Sequence, residues 1–166
     1  MNDLTSRLVC RAAQEADGAD ITRIDTACLE TGHATFRADV YDWGSFQRSY
    51  GAGVARVGVL NRRLVAWSGI SRVSQRQVYA GVGETSVYVD PEKHGHGIGA
   101  QMMRDLIEQA ELQGFWTLTA QIFPENQASI AIHERCGFKV MGRRERLGKA
   151  TYGPLKGQWR DVMFLE

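Results

Sequence analysis

The chain has 166 residues, 43% of them hydrophobic and 23% charged, so we expect a single domain over 1–166 with a sizeable core. Twenty basic and 19 acidic residues leave a net charge of +1, without the strongly basic balance typical of nucleic-acid-binding proteins. No window approaches about 18 consecutive apolar residues, so we also expect no membrane partner.

The N-terminal segment and the cysteines indicate a cellular compartment. No basic stretch followed by a long apolar run opens the chain, so we expect no signal peptide. Cys10, Cys28 and Cys136 are odd in number and far apart, which is typical of reduced thiols. We therefore predict a cytoplasmic protein whose cysteines are small buried residues.

The first half of the chain is predicted to begin with a strand at 8–13 and one or two short helices over 17–31. Residues 31–53 mix aromatic residues with turn formers, and part of them, 42–50, is a candidate helix. The aromatic side chains there face either a site or the core. Two β-rich segments on either side of 61–63 predict a hairpin.

A strand and a helix are predicted next. Residues 82–89 are rich in β-branched side chains and end at Asp90, which precedes a proline, so a strand should stop there. In 97–114, apolar residues recur at helical spacing before Gly114, which predicts an amphipathic helix with a glycine at its C-terminal end.

Three more strands and one helix are predicted in the C-terminal third of the chain. In 115–122, alternate residues starting at Trp116 are apolar, which predicts a half-buried strand. Asn126 is expected to cap a helix that runs to Arg135. Two last strands are predicted within 138–146 and 158–165. This order predicts an α/β or α+β domain built on a largely central sheet.

The segment between the predicted strand 82–89 and the following helix is rich in glycine. Gly95, Gly97 and Gly99 occupy every second position, with His94 and His96 beside them. Glycines let backbone N–H groups approach a ligand, and the next helix adds unpaired N–H groups and its positive dipole end. This pattern predicts a pyrophosphate site. The spacing fits neither a Walker loop nor a dinucleotide fold, whereas a metal site and a turn without ligand stay open.

Residues 86–107 resemble the acetyl-CoA-binding segment of the GCN5-related N-acetyltransferases. That family's pattern is Gln or Arg, two residues, Gly, one residue, then Gly or Ala; Gly97 and Gly99 match it, and His94 stands at the first position. Residues 124–138 resemble the family's later segment. The resemblance implies a mixed central sheet of about seven strands flanked by helices, with a splay between strands 4 and 5, acetyl-CoA as co-substrate and no metal.

Within that superfamily the chain resembles the phosphinothricin and methionine sulfone/sulfoximine acetyltransferases, through residues 31–36, 76–89, 129–138 and 157–166. This implies acetyl transfer to the α-amine of a small amino-acid-like substrate in a ternary complex, and a homodimer. The chain departs from the pattern at Asp25 and Thr26 and in a longer tail at 148–159. An acetyltransferase for a protein N-terminus or another amine, or a non-catalytic acyl-CoA-binding module, are the alternatives.

The resemblance also implies catalytic roles for two residues. Glu84 matches the family's catalytic glutamate and would take the proton of the amine. His133 falls where the phosphinothricin-type enzymes also have histidine, and it would protonate or hydrogen-bond the leaving thiolate. The alternatives are a glutamate on an exposed strand edge and a histidine with a structural role in the core.

Binding residues are implied in the same way. The cofactor is expected at the main chain of Val87 and Val89, at Asn126, and along 94–100, which comprises His94, Gly95, His96, Gly97, Ile98, Gly99 and Ala100. Phe36, Arg76 and Tyr79 match positions that line the substrate pocket, where Arg76 could pair with a carboxylate. By contrast, Arg143, Arg144 and Arg146 are predicted to form a solvated face.

Overall fold

A computed structural model describes residues 7–166. The first six residues, which belong to the segment where we expect no signal peptide, lie outside the described residues. The described residues form seven strands: β1 Val9–Ala12, β2 Val54–Leu60, β3 Arg63–Arg72, β4 Val82–Val89, β5 Thr117–Ile122, β6 Val140–Lys149 and β7 Trp159–Leu165. Their α-helices are α1 Gly18–Glu30, α2 Trp43–Tyr50, α3 Ile98–Leu112 and α4 Gln127–Arg135. The predicted α/β fold with a mixed sheet flanked by helices is confirmed.

The sheet has the order β1-β2-β3-β4-β5-β7-β6, and its one parallel pair within residues 7–166 is β4 with β5. This pair holds only from Val82 opposite Thr117 to Glu84 opposite Thr119. Beyond that point β5 pairs with β7, and β4 continues alone to Val89. The parallel pair therefore ends early, as the predicted splay between strands 4 and 5 requires.

Strand alternation gives the two faces of β4 different neighbours. The side chains of Val87 and Val89 pack against a core cluster that includes Ile98 at the start of α3. On the opposite face, Tyr88 packs against the core under α1 and α2, and Ser86 accepts a hydrogen bond of 3.0 Å from a tyrosine of α2. We call these two sides the α3/α4 face and the α1/α2 face.

Most aromatic residues near α2 belong to the core. Phe46 and Tyr50 are buried against Trp67, and the rings of Phe46 and Trp67 meet edge to face at 5.3 Å. The side chain of Asp42 accepts a hydrogen bond from the Ser45 N–H and caps α2. The aromatic side chains of 31–53 were predicted to face either a site or the core. Those on α2 are core residues.

Trp116 and two of the cysteines differ from what local patterns predict. The prediction that Trp116 lies on the buried face of β5 is wrong: the strand begins at Thr117, and Trp116 is 63% exposed with its ring against Gly81. Cys28 is buried as expected, whereas the other two cysteines are half-buried. Among the described residues, no helix is long and apolar enough to cross a membrane.

Candidate active site

The separation of β4 and β5 opens a cleft of about 480 Å³. Its walls are β4, β5, the loop 31–36 and the first turns of α4. Seven of the residues predicted from the sequence line it: Phe36, Glu84, Val87, Val89, His94, Asn126 and His133. The cleft reaches both faces of the sheet, because side chains from alternate positions of β4 contribute to its wall.

The other predicted residues lie elsewhere. Residues 95–100 follow His94 and lead into the first turn of α3, next to the cleft. Arg76 and Tyr79 flank or belong to a short exposed 3-10 helix before β4, where the guanidinium lies 5.5 Å from the tyrosine ring centroid. Neither lines the cleft, so their role in substrate binding stays a prediction.

The backbone of β4 turns hydrogen-bonding groups towards the cleft. The N–H of Asp90 donates to the Val65 carbonyl at 2.8 Å, which marks a hydrogen-bonded pair of the β3–β4 ladder. Because bonded and non-bonded pairs alternate, the N–H and C=O groups of Val87 and Val89 point away from β3. The pairs with β5 end at Glu84, so this edge is suited to an extended ligand that carries amide groups.

One group on that edge already has partners. The Val89 carbonyl oxygen lies 3.0 Å from Nε2 of His94 and 3.4 Å from Sγ of Cys28. Burial, with help from two nearby carboxylates, raises the pKa of the Cys28 thiol to about 12, so this cysteine is a poor nucleophile although it lines the cleft. Its role is packing and hydrogen bonding.

The glycine segment forms a loop that ends at α3. Gly95 and Gly97 have φ angles of +79° and +73°, a left-handed conformation that residues with a Cβ rarely adopt. Gly97 is the N-cap of α3 and offers no side-chain cap, so N–H groups of the first turn are left for a ligand. A Cβ on Gly99 would lie 2.9 Å from Cδ1 of Ile132, so glycine there allows α3 to pack on α4.

The two histidines of the loop bond to backbone carbonyls. Nδ1 of His96 lies 2.9 Å from the His94 carbonyl oxygen, and His94 bonds to Val89 as described. Within residues 7–166, no group of three or more side chains could hold a metal ion. Nε2 of His94 and Nδ1 of His96 are thus engaged by the backbone.

Glu84 lies where β4 and β5 part, half-buried on the α1/α2 face. Its Oε2 accepts a hydrogen bond of 2.6 Å from Nε2 of Gln121 on β5. Oε1 of Gln121 in turn lies 3.5 Å from Nη1 of Arg144 on β6. Sequence reasoning missed Gln121. Alternation along β5 places its side chain on the face opposite to that of the buried Ala120 and Ile122.

The surroundings of His133 favour its neutral form. The side chain is 5% exposed, and its Nδ1 lies 2.7 Å from the Ser129 carbonyl oxygen. A carbonyl only accepts, so Nδ1 carries the proton and Nε2 is an acceptor. Burial lowers the pKa of His133 below its usual 6.5, although the bond to Ser129 acts in the opposite direction. The neutral ring is thus a hydrogen-bonding group rather than a ready proton donor.

The loop 31–36 closes the cleft on the α1/α2 face, and residues from the longer tail hold it. The Tyr152 hydroxyl donates to the Thr35 carbonyl at 2.6 Å. Phe36 meets Phe123 edge to face at 4.9 Å, and its ring covers Gly148 so closely that a Cβ there would lie 2.7 Å away. The tail therefore shapes the wall that the loop 31–36 contributes to the cleft.

Arg160 is a second anchor that sequence reasoning missed. Its side chain is 4% exposed, and Nη1 donates to the Gly32 carbonyl at 2.9 Å. Nη2 lies 3.2 Å from Nδ1 of His33 and 3.3 Å from Oε2 of Glu125, while the guanidinium stacks 3.9 Å from the Phe123 ring centroid. The sequence did contain a signal for Arg160: it is a basic residue at an inward position of β7, where the other inward positions are apolar.

Comparisons with known proteins agree with this geometry. An L-methionine sulfoximine/L-methionine sulfone acetyltransferase of Pseudomonas aeruginosa is 36% identical over 88 residues, 53% of this chain and 48% of that protein. The chain thus spans about half the length of that relative. A phosphinothricin N-acetyltransferase of Streptomyces viridochromogenes is 29% identical over 162 residues, 93% of this chain and 84% of that protein.

A solved structure and a family model complete the comparison. The crystal structure of a GNAT superfamily phosphinothricin acetyltransferase from Sinorhizobium meliloti in complex with AcCoA superimposes with a TM-score of 0.83 at 27% identity. The superposition covers 95% of this chain and 86% of that one. The model of the acetyltransferase (GNAT) family matches residues 19–138, most of the chain. The chain therefore belongs to the acetyltransferase (GNAT) family.

Proposed function

We propose that the protein transfers an acetyl group from acetyl-CoA to the α-amine of a small amino-acid-like acceptor, by direct attack in a ternary complex. One observation carries this proposal: the cleft between β4 and β5 has Glu84 at its closed end and the uncapped start of α3 beyond its open end. The named activities of the two relatives and the AcCoA bound to the solved neighbour support it.

The cofactor fits the groups that β4 and α3 leave open. The main chain of Val87 and the N–H of Val89 would bind the amide groups of the pantetheine arm, with Asn126 beside them. The N–H groups of 94–100 would bind the pyrophosphate, because a helix N-terminus favours an anion. When bound, acetyl-CoA supplies the activated acetyl group as a thioester.

The chain's own residues accept the proton, orient the base and form hydrogen bonds with the reacting groups. Glu84 accepts the proton that the amine loses as its nitrogen bonds to the acetyl carbon and the carbon–sulfur bond breaks. Gln121 holds the Glu84 carboxylate through its 2.6 Å hydrogen bond. His133, neutral and with its proton committed to Ser129, offers only an acceptor nitrogen, so it would accept a hydrogen bond from the thiol of CoA once the leaving sulfur is protonated.

The proposal is tested by following CoA release from acetyl-CoA with a panel of acceptors. The panel contains methionine sulfone, methionine sulfoximine, phosphinothricin, several free amino acids and a short peptide with a free N-terminus. Turnover of one or more amino-acid analogues, and slower turnover of the peptide, is expected. A protein that binds acetyl-CoA in calorimetry but acetylates no amino acid or analogue would contradict the proposed acceptor class.

Several further expectations stay proposals. We propose that 1–166 is one domain that works as a cytoplasmic homodimer, without metal, nucleic acid or membrane as a partner. Sedimentation equilibrium tests the dimer directly: a mass of one chain at micromolar concentration would contradict it.

A further inference from the structure

Arg144 is an arginine without a carboxylate partner among the described residues. It lies on β6, where a solvated face was predicted. Two other arginines of the β6–β7 hairpin are paired, Arg143 with Asp161 at 2.6 Å and Arg160 with Glu125 at 3.3 Å, whereas the guanidinium of Arg146 lies over the Trp159 ring. Within residues 7–166, no acidic side chain lies within salt-bridge distance of Arg144, so its charge is available to an anion.

Strand register brings Arg144 to the same sheet face as Glu84. Gln121 of β5 lies opposite Phe164 of β7, and two residues along β7 Val162 lies opposite Arg144 of β6. Directly opposed residues in a sheet share a face, and so do residues two apart in a strand. The hydrogen bond between Gln121 and Glu84 shows that this is the face with the candidate base.

The distances make one continuous polar chain from the wall of the cleft to Arg144, which itself lies outside the residues that line the cleft. Nη1 of Arg144 lies 3.5 Å from Oε1 of Gln121, whose Nε2 donates to Oε2 of Glu84 at 2.6 Å. A single amide group therefore separates a free guanidinium from the carboxylate that would take the amine proton. Gln121 and Glu84 both line the cleft.

An α-amino acid needs such a pair of groups. Its amine and its carboxylate are attached to the same carbon, so the base for the amine and the cation for the carboxylate must lie a few ångströms apart. A guanidinium binds a carboxylate through two parallel N–H donors, which fixes the orientation of the acceptor as well as its charge.

We propose that Arg144 binds the carboxylate of the acceptor and that Gln121 is a positioning residue that orients Glu84. This inference rests on the proposed function and narrows it to acceptors with a free α-carboxylate. Arg76, the other candidate for this contact, lies on a turn before β4 with its guanidinium 5.5 Å from the Tyr79 ring centroid. Arg144, by contrast, reaches Gln121 of the cleft wall.

The carboxylate contact is tested with an amino acid that the wild type acetylates and with its carboxamide. Arg144→Ala should raise KM for the acid by about tenfold or more, since hydrogen bonds to a charged group are lost, with kcat little changed. The ratio of kcat/KM for the acid to that for the carboxamide should fall towards one. Arg146→Ala is the matched control, because Arg146 is an exposed arginine of the same strand that contacts Trp159 instead.

The outcomes separate the two levels of the proposal. An Arg144→Ala variant that keeps the wild-type ratio would overturn the carboxylate contact alone, and so would a wild type that does not distinguish acid from carboxamide. A wild type that acetylates no amino acid would overturn the proposed function and this inference with it. Thermal unfolding of each variant shows that the fold is intact.

Gln121 is tested through the pH profile of kcat/KM. In Gln121→Leu the donor to the Glu84 carboxylate is lost, so the acidic limb of the profile should move to higher pH, because the charged form of the base loses its hydrogen bond. A purely structural role would lower activity without moving that limb. An acidic limb at its wild-type position would overturn the positioning role.

Discussion

Nε2 of His94 donates a hydrogen bond of 3.0 Å to the carbonyl oxygen of Val89, so the loop before α3 is tied to the free edge of β4. The residue that stands where the family pattern has Gln or Arg thus contacts the backbone of the cleft wall. It supplies no permanent charge to the predicted pyrophosphate site. Both facts bear on how tightly acetyl-CoA binds.

Restoring a permanent charge at this position should tighten cofactor binding. In His94→Arg we expect the Kd of CoA, measured by calorimetry at low salt, to fall severalfold, because charge-assisted hydrogen bonds to a phosphate are stronger than neutral ones. His94→Gln is the control that changes the side chain without adding charge. An equal or weaker affinity in His94→Arg would show that the pyrophosphate does not lie near residue 94.

The left-handed glycine that begins α3 should be sensitive to a methyl group. Gly97→Ala is expected to lower the free energy of unfolding by about 1–2 kcal/mol, the cost of a left-handed conformation for an L-residue. Gly142→Ala is the matched control: a Cβ meets no atom within 4 Å at either position, but only Gly97 has a positive φ. Urea unfolding that shows equal effects at both positions would contradict this backbone conformation.

Burial of neutral His133 should make stability depend on pH. The pKa of this side chain is lowered in the folded protein, so below about pH 6.5 the unfolded chain takes up a proton that the folded one does not. The free energy of unfolding should therefore fall as pH drops from 6.5 towards the lower folded value. His133→Gln removes this contribution, and its urea-unfolding curves between pH 5 and 8 should show a smaller decline than those of the wild type. Parallel declines would mean that His133 is not buried in its neutral form.

The tail contact to the loop 31–36 should affect the acceptor and spare the cofactor. Tyr152→Phe removes the hydrogen bond to the Thr35 carbonyl, which costs about 1 kcal/mol and loosens the wall that the loop 31–36 contributes to the cleft. We expect a higher KM for the acceptor and an unchanged Kd for acetyl-CoA. A variant that loses affinity for acetyl-CoA instead would place the tail on the cofactor side of the cleft.

Local patterns predicted much of the fold because they depend on neighbouring residues. The helix that Asn126 caps was expected from its side chain, which accepts from the Ser129 N–H at 3.2 Å. The amphipathic helix α3 followed from its spacing of apolar residues. The prediction that Trp116 lies on the buried face of β5 was wrong because alternation alone does not say where a strand begins. The Trp116 ring covers Gly81 from outside the strand.

The missed part of the site depends on long-range register. Gln121 reaches Glu84 because β4 and β5 pair in parallel for three positions, and Arg144 reaches Gln121 because β7 lies between β5 and β6. Neither relationship is visible in a run of neighbouring letters. The anchoring of loop 31–36 by Tyr152 and Arg160 likewise joins residues more than 100 positions apart.

Two carboxylate-to-amide variants show whether Glu84 acts as the general base. Glu84→Gln keeps the shape of the side chain but removes the base, and Glu92→Gln makes the same change at an exposed carboxylate beyond the end of β4. With saturating acetyl-CoA and an acceptor that the wild type acetylates, Glu84→Gln should lose about 10²–10⁴-fold in kcat/KM, with an unchanged Kd for acetyl-CoA. Glu92→Gln should match the wild type. Activity of Glu84→Gln within about twofold of the wild type across the pH profile would contradict the account, since a general base contributes far more than that.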